Sequence, residues 1–303
     1  MEYLKKEIDK DILEYFEREE LTKYIPKNEN YKCHYRYRAG FEINPKLDTD
    51  AEFPPDIPDL VRLHRLVRQR KAMTILEFGL GYSTLIYADA LMKNETEFYN
   101  LQKDAVADLV ASNKFEIHSV DSSKMWIANF KLKLKQHPKL KRFIHLHYSD
   151  VHINTFNGQM CHFYDTLPDI VPDFIYLDGP SAGDVQGKIS GMSFKQLDRT
   201  VMSGDILRME STLSPGTFIL VDGRSNNARF LRNHFRRNWE YFSASELHSG
   251  VSSKPVAEYK FEDWNQSDYT TLELVEFPLS YWNLKKLELC LGNNIKKYLQ
   301  SNN

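Results

Sequence analysis

The sequence predicts an α/β protein built on a mostly parallel sheet. Two observations carry that expectation. Five short apolar runs (73–78, 115–121, 142–147, 173–178 and 217–222) read as buried strands, and helical patterns separate most of them. The first run, Met73 to Phe78, passes through Gly79 and Gly81 into an amphipathic segment that starts at Ser83, a strand–turn–helix signature.

Taken in order, residues 1–20 place Leu4, Ile8, Ile12, Leu13 and Phe16 at helical spacing. Residues 31–41 alternate aromatic with basic side chains and read as a packed extension. Residues 48–58 hold three prolines and four acids, a linker into a short helix at 59–70. The strand series follows, with helices expected at 123–136, 205–212 and 226–237. A closing pair of strands is expected at 239–247 and 269–277, then an amphipathic helix over 281–299. The expected division is an extension over 1–58, a main domain over 59–280 and a C-terminal helix over 281–303 packed on it.

Composition removes several functional classes. The 303 residues carry 40 basic and 42 acidic side chains, net charge −2, which disfavours a dedicated nucleic-acid binder. Cys33, Cys161 and Cys290 are far apart and contain no C-x-x-C pair, which fits a reduced, cytoplasmic protein and excludes a cysteine-only zinc site. The first residues are charged and lack the apolar core of a signal peptide. No apolar run reaches the length of a membrane span.

Chemistry-bearing residues gather at predicted strand ends, where open parallel sheets bind ligands. Glu77, Gly79 and Gly81 lie at the first, with Tyr82 and Ser83 opening the helix behind them. Helix-start N–H groups there suit an anionic group. Asp121 and Ser122 end the second run, and Asp150 follows the third. The last two runs end alike, in Asp178-Gly179 and Asp222-Gly223, and two such carboxylates could hold a divalent cation. The glycine-rich loop after Asp178 carries Lys188, a candidate for assisting deprotonation, although a solvated lysine is the simpler reading. His248 falls where such a fold often places substrate loops and is a catalytic candidate, although a lone histidine is more often structural. Arg224 could clamp a carboxylate or phosphate if it faced the site.

The Glu77-x-Gly79-x-Gly81 spacing resembles the first motif of class I S-adenosylmethionine-dependent methyltransferases, over roughly residues 59–277. That resemblance implies a Rossmann-like, doubly wound, seven-stranded sheet whose last strand is antiparallel. It implies S-adenosylmethionine as cofactor, with the glycine turn against its methionine part. It places Asp121 on the ribose, Asp150 on the adenine amine and Asp178 beside the reactive methyl. The 40 positions from Gly81 to Asp121 exceed the family distance, which suggests an insertion at 94–113. Asp178 and Asp222 are also similar to the magnesium-holding pair of catechol-type O-methyltransferases. The family's asparagine is replaced by Gly223 and its lysine by Ser181, with Asn226 or Asn227 as substitutes for the former. The expected activity is O-methylation of a small polar acceptor, such as a sugar or natural-product hydroxyl, with possible Mg2+ assistance. Three rivals stay open: a non-catalytic cofactor-binding scaffold, an aminopropyl-transferring synthase and a nicotinamide oxidoreductase. A third glycine, which a dinucleotide fingerprint requires, is missing at Thr84.

Overall fold

A computed structural model describes residues 10–25, 55–101, 115–196, 199–222, 224–243 and 269–274. Its strands are β1 (Thr74–Phe78), β2 (Glu116–Asp121), β3 (Ile144–Tyr148), β4 (Val151–Phe156), β5 (Gln159–Tyr164), β6 (Phe174–Leu177), β7 (Phe218–Asp222), β8 (Trp239–Ser243) and β9 (Tyr269–Leu274). Its α-helices are α1 (Lys10–Arg18), α2 (Ile57–Arg70), α3 (Tyr82–Leu101), α4 (Lys124–Leu134), α5 (Asp205–Met209) and α6 (Ser225–His234).

Seven strands form one sheet in the order β3-β2-β1-β6-β7-β9-β8. β3, β2, β1, β6 and β7 run parallel, while β9 is antiparallel to both β7 and β8. The order reverses between β1 and β6, so the sheet is doubly wound and its ligand crevice lies outside the ends of those strands. The expected fold, including the antiparallel last strand, is present.

Every central strand buries both faces, which explains the near-continuous apolar runs. Strand alternation sorts side chains into two layers. Ile75, Phe174, Tyr176, Phe218 and Leu220 face one core, shared with α2 and α3. Leu76, Phe78, Ile175, Leu177, Ile219 and Val221 face the other, shared with the β4–β5 pair and α6. Tyr15, Phe16, Leu21, Tyr24 and Ile25 belong to the first core, so residues 10–25 pack on the helices of the main sheet.

Three local features add to these expectations. Helix α3 is continuous from Tyr82 to Leu101, so the first part of the suggested insertion at 94–113 is helix; residues 102–114 lie outside the described residues. Residues 151–164 form a separate two-stranded antiparallel sheet where no strands were expected. Its turn is Asn157-Gly158, with φ of 49° and 77°, as a tight two-residue hairpin requires. The glycine-rich loop is tied to this hairpin: Gln186 N donates to Val151 O (2.8 Å), and Ile153 N donates to Gln186 O (2.9 Å). Residues 31–41, His248 and 281–303 lie outside the described residues. Among the described residues, no helix is long and apolar enough to cross a membrane.

Candidate active site at the carboxyl ends of the strands

The strand ends converge through two glycines. Gly79 has φ +104°, a conformation that L side chains rarely adopt. A Cβ on Gly179 would stand 2.8 Å from Gly79 N and 2.9 Å from its Cα, so the turns after β1 and β6 touch backbone to backbone. Gly81 differs. A Cβ there would meet nothing nearer than Ser83 Oγ at 3.9 Å, so protein packing does not demand glycine at that position.

Glu77 points into the α2/α3 layer and is fully buried. Ser83 Oγ donates to its Oε1, and Thr84 Oγ1 and Ser119 Oγ donate to its Oε2, each at 2.6 Å. Thr84 Oγ1 also accepts from Gly81 N (3.3 Å). The carboxyl therefore ties β1, the glycine turn, β2 and the start of α3 together. Burial pushes its pKa up to about 7 despite the three hydroxyls, and Asp178 adds to the rise.

Asp121 ends β2, and its Oδ1 accepts Ser123 N at 2.7 Å. Burial raises it to about 6, with Asp184 reinforcing the shift. Ser122 Oγ donates to Asp184 Oδ2 (3.1 Å), which links the β2 end to the glycine-rich loop. Asp150 Oδ1 accepts from Tyr148 OH (2.7 Å) and Gln186 Nε2 (3.1 Å). The aligned ends of β1, β2 and β3 thus present Gly79–Gly81, Asp121 and Asp150 along one rim.

Asp178 and Asp222 lie one step beyond the Leu177–Val221 pair in adjacent parallel strands, about 4.8 Å apart along the ladder. Asp178 is exposed. Asp222 Oδ2 accepts Tyr176 OH at 2.6 Å. Burial raises Asp222 well above the usual carboxylate range, and the charges of Asp59 and Asp178 push the same way while Arg62 opposes them. Asp59, Arg62 and Tyr176 were not singled out from the sequence. Only sheet order and the packing of α2 bring them to Asp222.

Magnesium finds a poor fit to this donor set. Asn226 Oδ1 accepts from Arg229 (3.2 Å), and the buried Asn227 Oδ1 accepts from Ser203 N, so both candidate amide oxygens are engaged. Asp59 Oδ1 is committed to Arg62. Two carboxylates remain, with Arg62 already supplying positive charge.

Arg224 does not present its guanidinium as a clamp for an incoming carboxylate. It donates to Pro180 O (3.0 Å) and Asp178 O, bracing the turn after β6. Two arginines further along are occupied as well: Arg237 Nη1 donates to Glu210 O (2.8 Å), and Arg232 stacks on Tyr241 (4.6 Å). Lys188 is exposed, two residues past the Gln186 anchor, and joins none of these contacts. Tyr82, partly buried at the start of α3, lies under Lys133 Nζ (3.7 Å to the ring).

No protein-family model matches this sequence, and no curated protein matches it. Solved structures do show similarity. The chain is 13% identical to the O-methyltransferase TomG of Streptomyces achromogenes, in complex with SAM, over 73% of this chain and 82% of that one (TM-score 0.38). It is 14% identical to an SAH-bound methyltransferase of Podospora anserina, covering 89% of each (TM-score 0.39). An O-methyltransferase of Bacillus cereus in complex with SAH is 11% identical over 90% and 94% (TM-score 0.38). The strand order described above, not these distant likenesses, defines the fold.

Proposed function

We propose that this chain is an S-adenosylmethionine-dependent methyltransferase that acts on the hydroxyl of a small polar acceptor. The observation that carries the reading is the rim itself. A glycine turn in which Gly81 has room for a close ligand, a half-buried carboxyl at Asp121 and an exposed carboxyl at Asp178 lie at the reversal of strand order. Bound cofactor would supply an electrophilic methyl group on a sulfonium.

The chain's own groups then have three tasks. The Gly79–Gly81 turn and the start of α3, held by Glu77, receive the carboxylate-bearing end of the cofactor. Asp121 accepts ribose hydroxyls, which restores hydrogen bonds to a carboxyl whose burial raises its pKa. Asp150 accepts the adenine amine. Asp178 would accept the proton that the acceptor hydroxyl gives up when it takes the methyl group. Asp222 is better suited to shaping the site's charge than to holding a metal, given the engaged asparagines. In-line alignment of the two reactants can lower such a barrier by about 7–11 kcal/mol, which makes positioning the larger part of catalysis.

Calorimetry with S-adenosylhomocysteine and with NADH, followed by methyl transfer to a panel of hydroxylated acceptors, tests this. Expected results are binding of S-adenosylhomocysteine alone, turnover that survives EDTA, and a large loss of kcat in Asp178→Asn with binding retained. NADH binding in its place would overturn the assignment. Tight S-adenosylhomocysteine binding without transfer to any acceptor would leave a scaffold.

A further inference from the structure

A second constellation lies on the opposite face of the sheet from Glu77 and Asp121. Strand alternation places Glu116 and His118 of β2 with Val120 on that face, and His145 and His147 of the edge strand β3 beside them. His118 pairs directly with His145 in the parallel register, and their rings stack at 4.7 Å. The His147 ring lies nearly parallel to that of His118, with centroids 5.1 Å apart. Glu116 reaches both partners: Oε1 lies 3.3 Å from His118 Nε2, and Oε2 lies 3.3 Å from His145 Nε2.

We infer that Glu116, His118 and His145 form a site for a divalent first-row transition ion, with zinc as its first occupant, that fastens edge strand β3 to β2. The three donor groups lie within 4.8 Å of one another. Zinc bound to nitrogen or oxygen at about 2.0–2.1 Å in tetrahedral geometry separates its ligands by roughly 3.3–3.4 Å. Both carboxylate–imidazole separations have that length already, and the half-exposed His145 ring, stacked on His118, would turn to aim its Nε2 at the same ion. Two imidazoles and one carboxylate select zinc, cobalt or nickel over the oxygen-seeking magnesium and calcium. His147 completes the arrangement. Its Nε2 lies 3.0 Å from His118 Nδ1, so a proton on that Nδ1, donated to His147, leaves His118 Nε2 as the ligating atom. The side chains of Glu116 and His118 are mostly covered, at 18% and 11% exposure, whereas that of His145 is 44% exposed. An ion can therefore enter from the His145 side, with water filling the fourth position. The site stands roughly 10 Å along β2 from Asp121 and is independent of the methyl-transfer reading.

The test uses the full chain, stripped with EDTA and then given one equivalent of Zn2+ or Co2+. Expected results are retention of one equivalent after gel filtration, a rise in Tm on Zn2+ addition and visible absorption of tetrahedral Co2+. His145→Ala and Glu116→Gln lose all three, and His145→Cys restores zinc retention. His147→Ala weakens Zn2+ binding by about 10–100-fold. His152→Ala, at an exposed histidine paired with Asp165, leaves them intact. Circular dichroism of the metal-free variants checks that the sheet persists. Equal Zn2+ binding by wild type and His145→Ala, or a wild type whose Tm ignores Zn2+ and Co2+, overturns the site and leaves a plain carboxylate–imidazole pairing.

Discussion

Two buried carboxyls, Glu77 and Asp89, sit at opposite ends of the same design problem. Both are fully buried and both accept several hydrogen bonds. Glu77 receives three neutral hydroxyls, and its pKa is raised to about 7. Asp89 receives Tyr24 OH (2.5 Å) and His64 Nε2 (3.2 Å) and pairs with Lys93 (2.7 Å) and Lys23 (3.4 Å). Although burial again opposes its charge, these partners hold it well below the usual carboxylate range. Burial alone does not decide ionisation; the charge of the partners does. The location follows. Asp89 is a charged hub that clamps residues 10–25 onto α2 and α3. Glu77 is a tie beneath the glycine turn whose charge is only about half formed near pH 7.

The largest test of that contrast is Asp89→Ala. Removing one partner of a buried ion pair costs about 3–5 kcal/mol. Tyr24 and His64 would also lose an acceptor, and the damage should be concentrated in the packing of residues 10–25. Urea unfolding reports the loss. The sign with pH is fixed: the native pKa lies below the unfolded one, so the Asp89 contribution is present above about pH 3.8 and fades as acid protonates it. A destabilisation under about 1 kcal/mol would mean that the hub is not held as described.

Glu77→Gln should show the reverse dependence. The native pKa is raised from 4.5 to about 7, so wild-type stability is full below pH 4.5, declines as pH rises toward 7 and stays reduced above it. The swing is on the order of 3 kcal/mol, and the glutamine variant lacks it. Unfolding of both proteins at pH 4.5 and pH 8 measures the difference. A gap between them that is the same at both pH values would mean that burial does not raise the Glu77 carboxyl as described.

Gly179→Ala is the next smaller effect. Its Cβ would press on backbone atoms of Gly79 and Phe78 at 2.8–3.0 Å, and backbone cannot step aside as a side chain can. Overpacking of this kind costs about 1–3 kcal/mol. Thermal unfolding should show it with or without cofactor. A neutral Tm would mean that the β1 and β6 turns are not locked together.

The legible part of this molecule is its periodicity. The three central parallel strands are visible because strands buried on both faces carry apolar residues at nearly every position, as in Phe174-Ile175-Tyr176-Leu177, whereas β2 and the edge strand β3 set Glu116, His118, His145 and His147 among their apolar residues. The β4–β5 hairpin was hidden in a different way. Its strands mix His152, Asn154 and Thr155 with apolar residues, although Asn157-Gly158 was the available turn signal. The site divides along the same line. Strand-end acids are visible because an apolar run stops at them. Their partners are not: Ser119 reaches Glu77 from 42 positions away, and Asp59 and Arg62 act on Asp222 only because α2 packs against the sheet. The partners of Arg224 are hidden for the same reason, since its sequence neighbours say nothing of the carbonyls of Asp178 and Pro180 that it binds.

Gly81→Ala separates packing from ligand approach and should have the smallest effect on stability. The added methyl finds only Ser83 Oγ at 3.9 Å, and φ at Gly81 is not in the left-handed region that only glycine tolerates easily. Unfolding should therefore change within about 0.5 kcal/mol. If the turn receives a cofactor, the same methyl intrudes on it, and S-adenosylhomocysteine affinity should fall at least several-fold while the fold is untouched. Gly179→Ala would show the opposite balance, with stability lost first. Equal S-adenosylhomocysteine binding by Gly81→Ala and wild type would show that the ligand does not approach this turn, and the rim reading would have to rest on Asp121 and Asp178 alone.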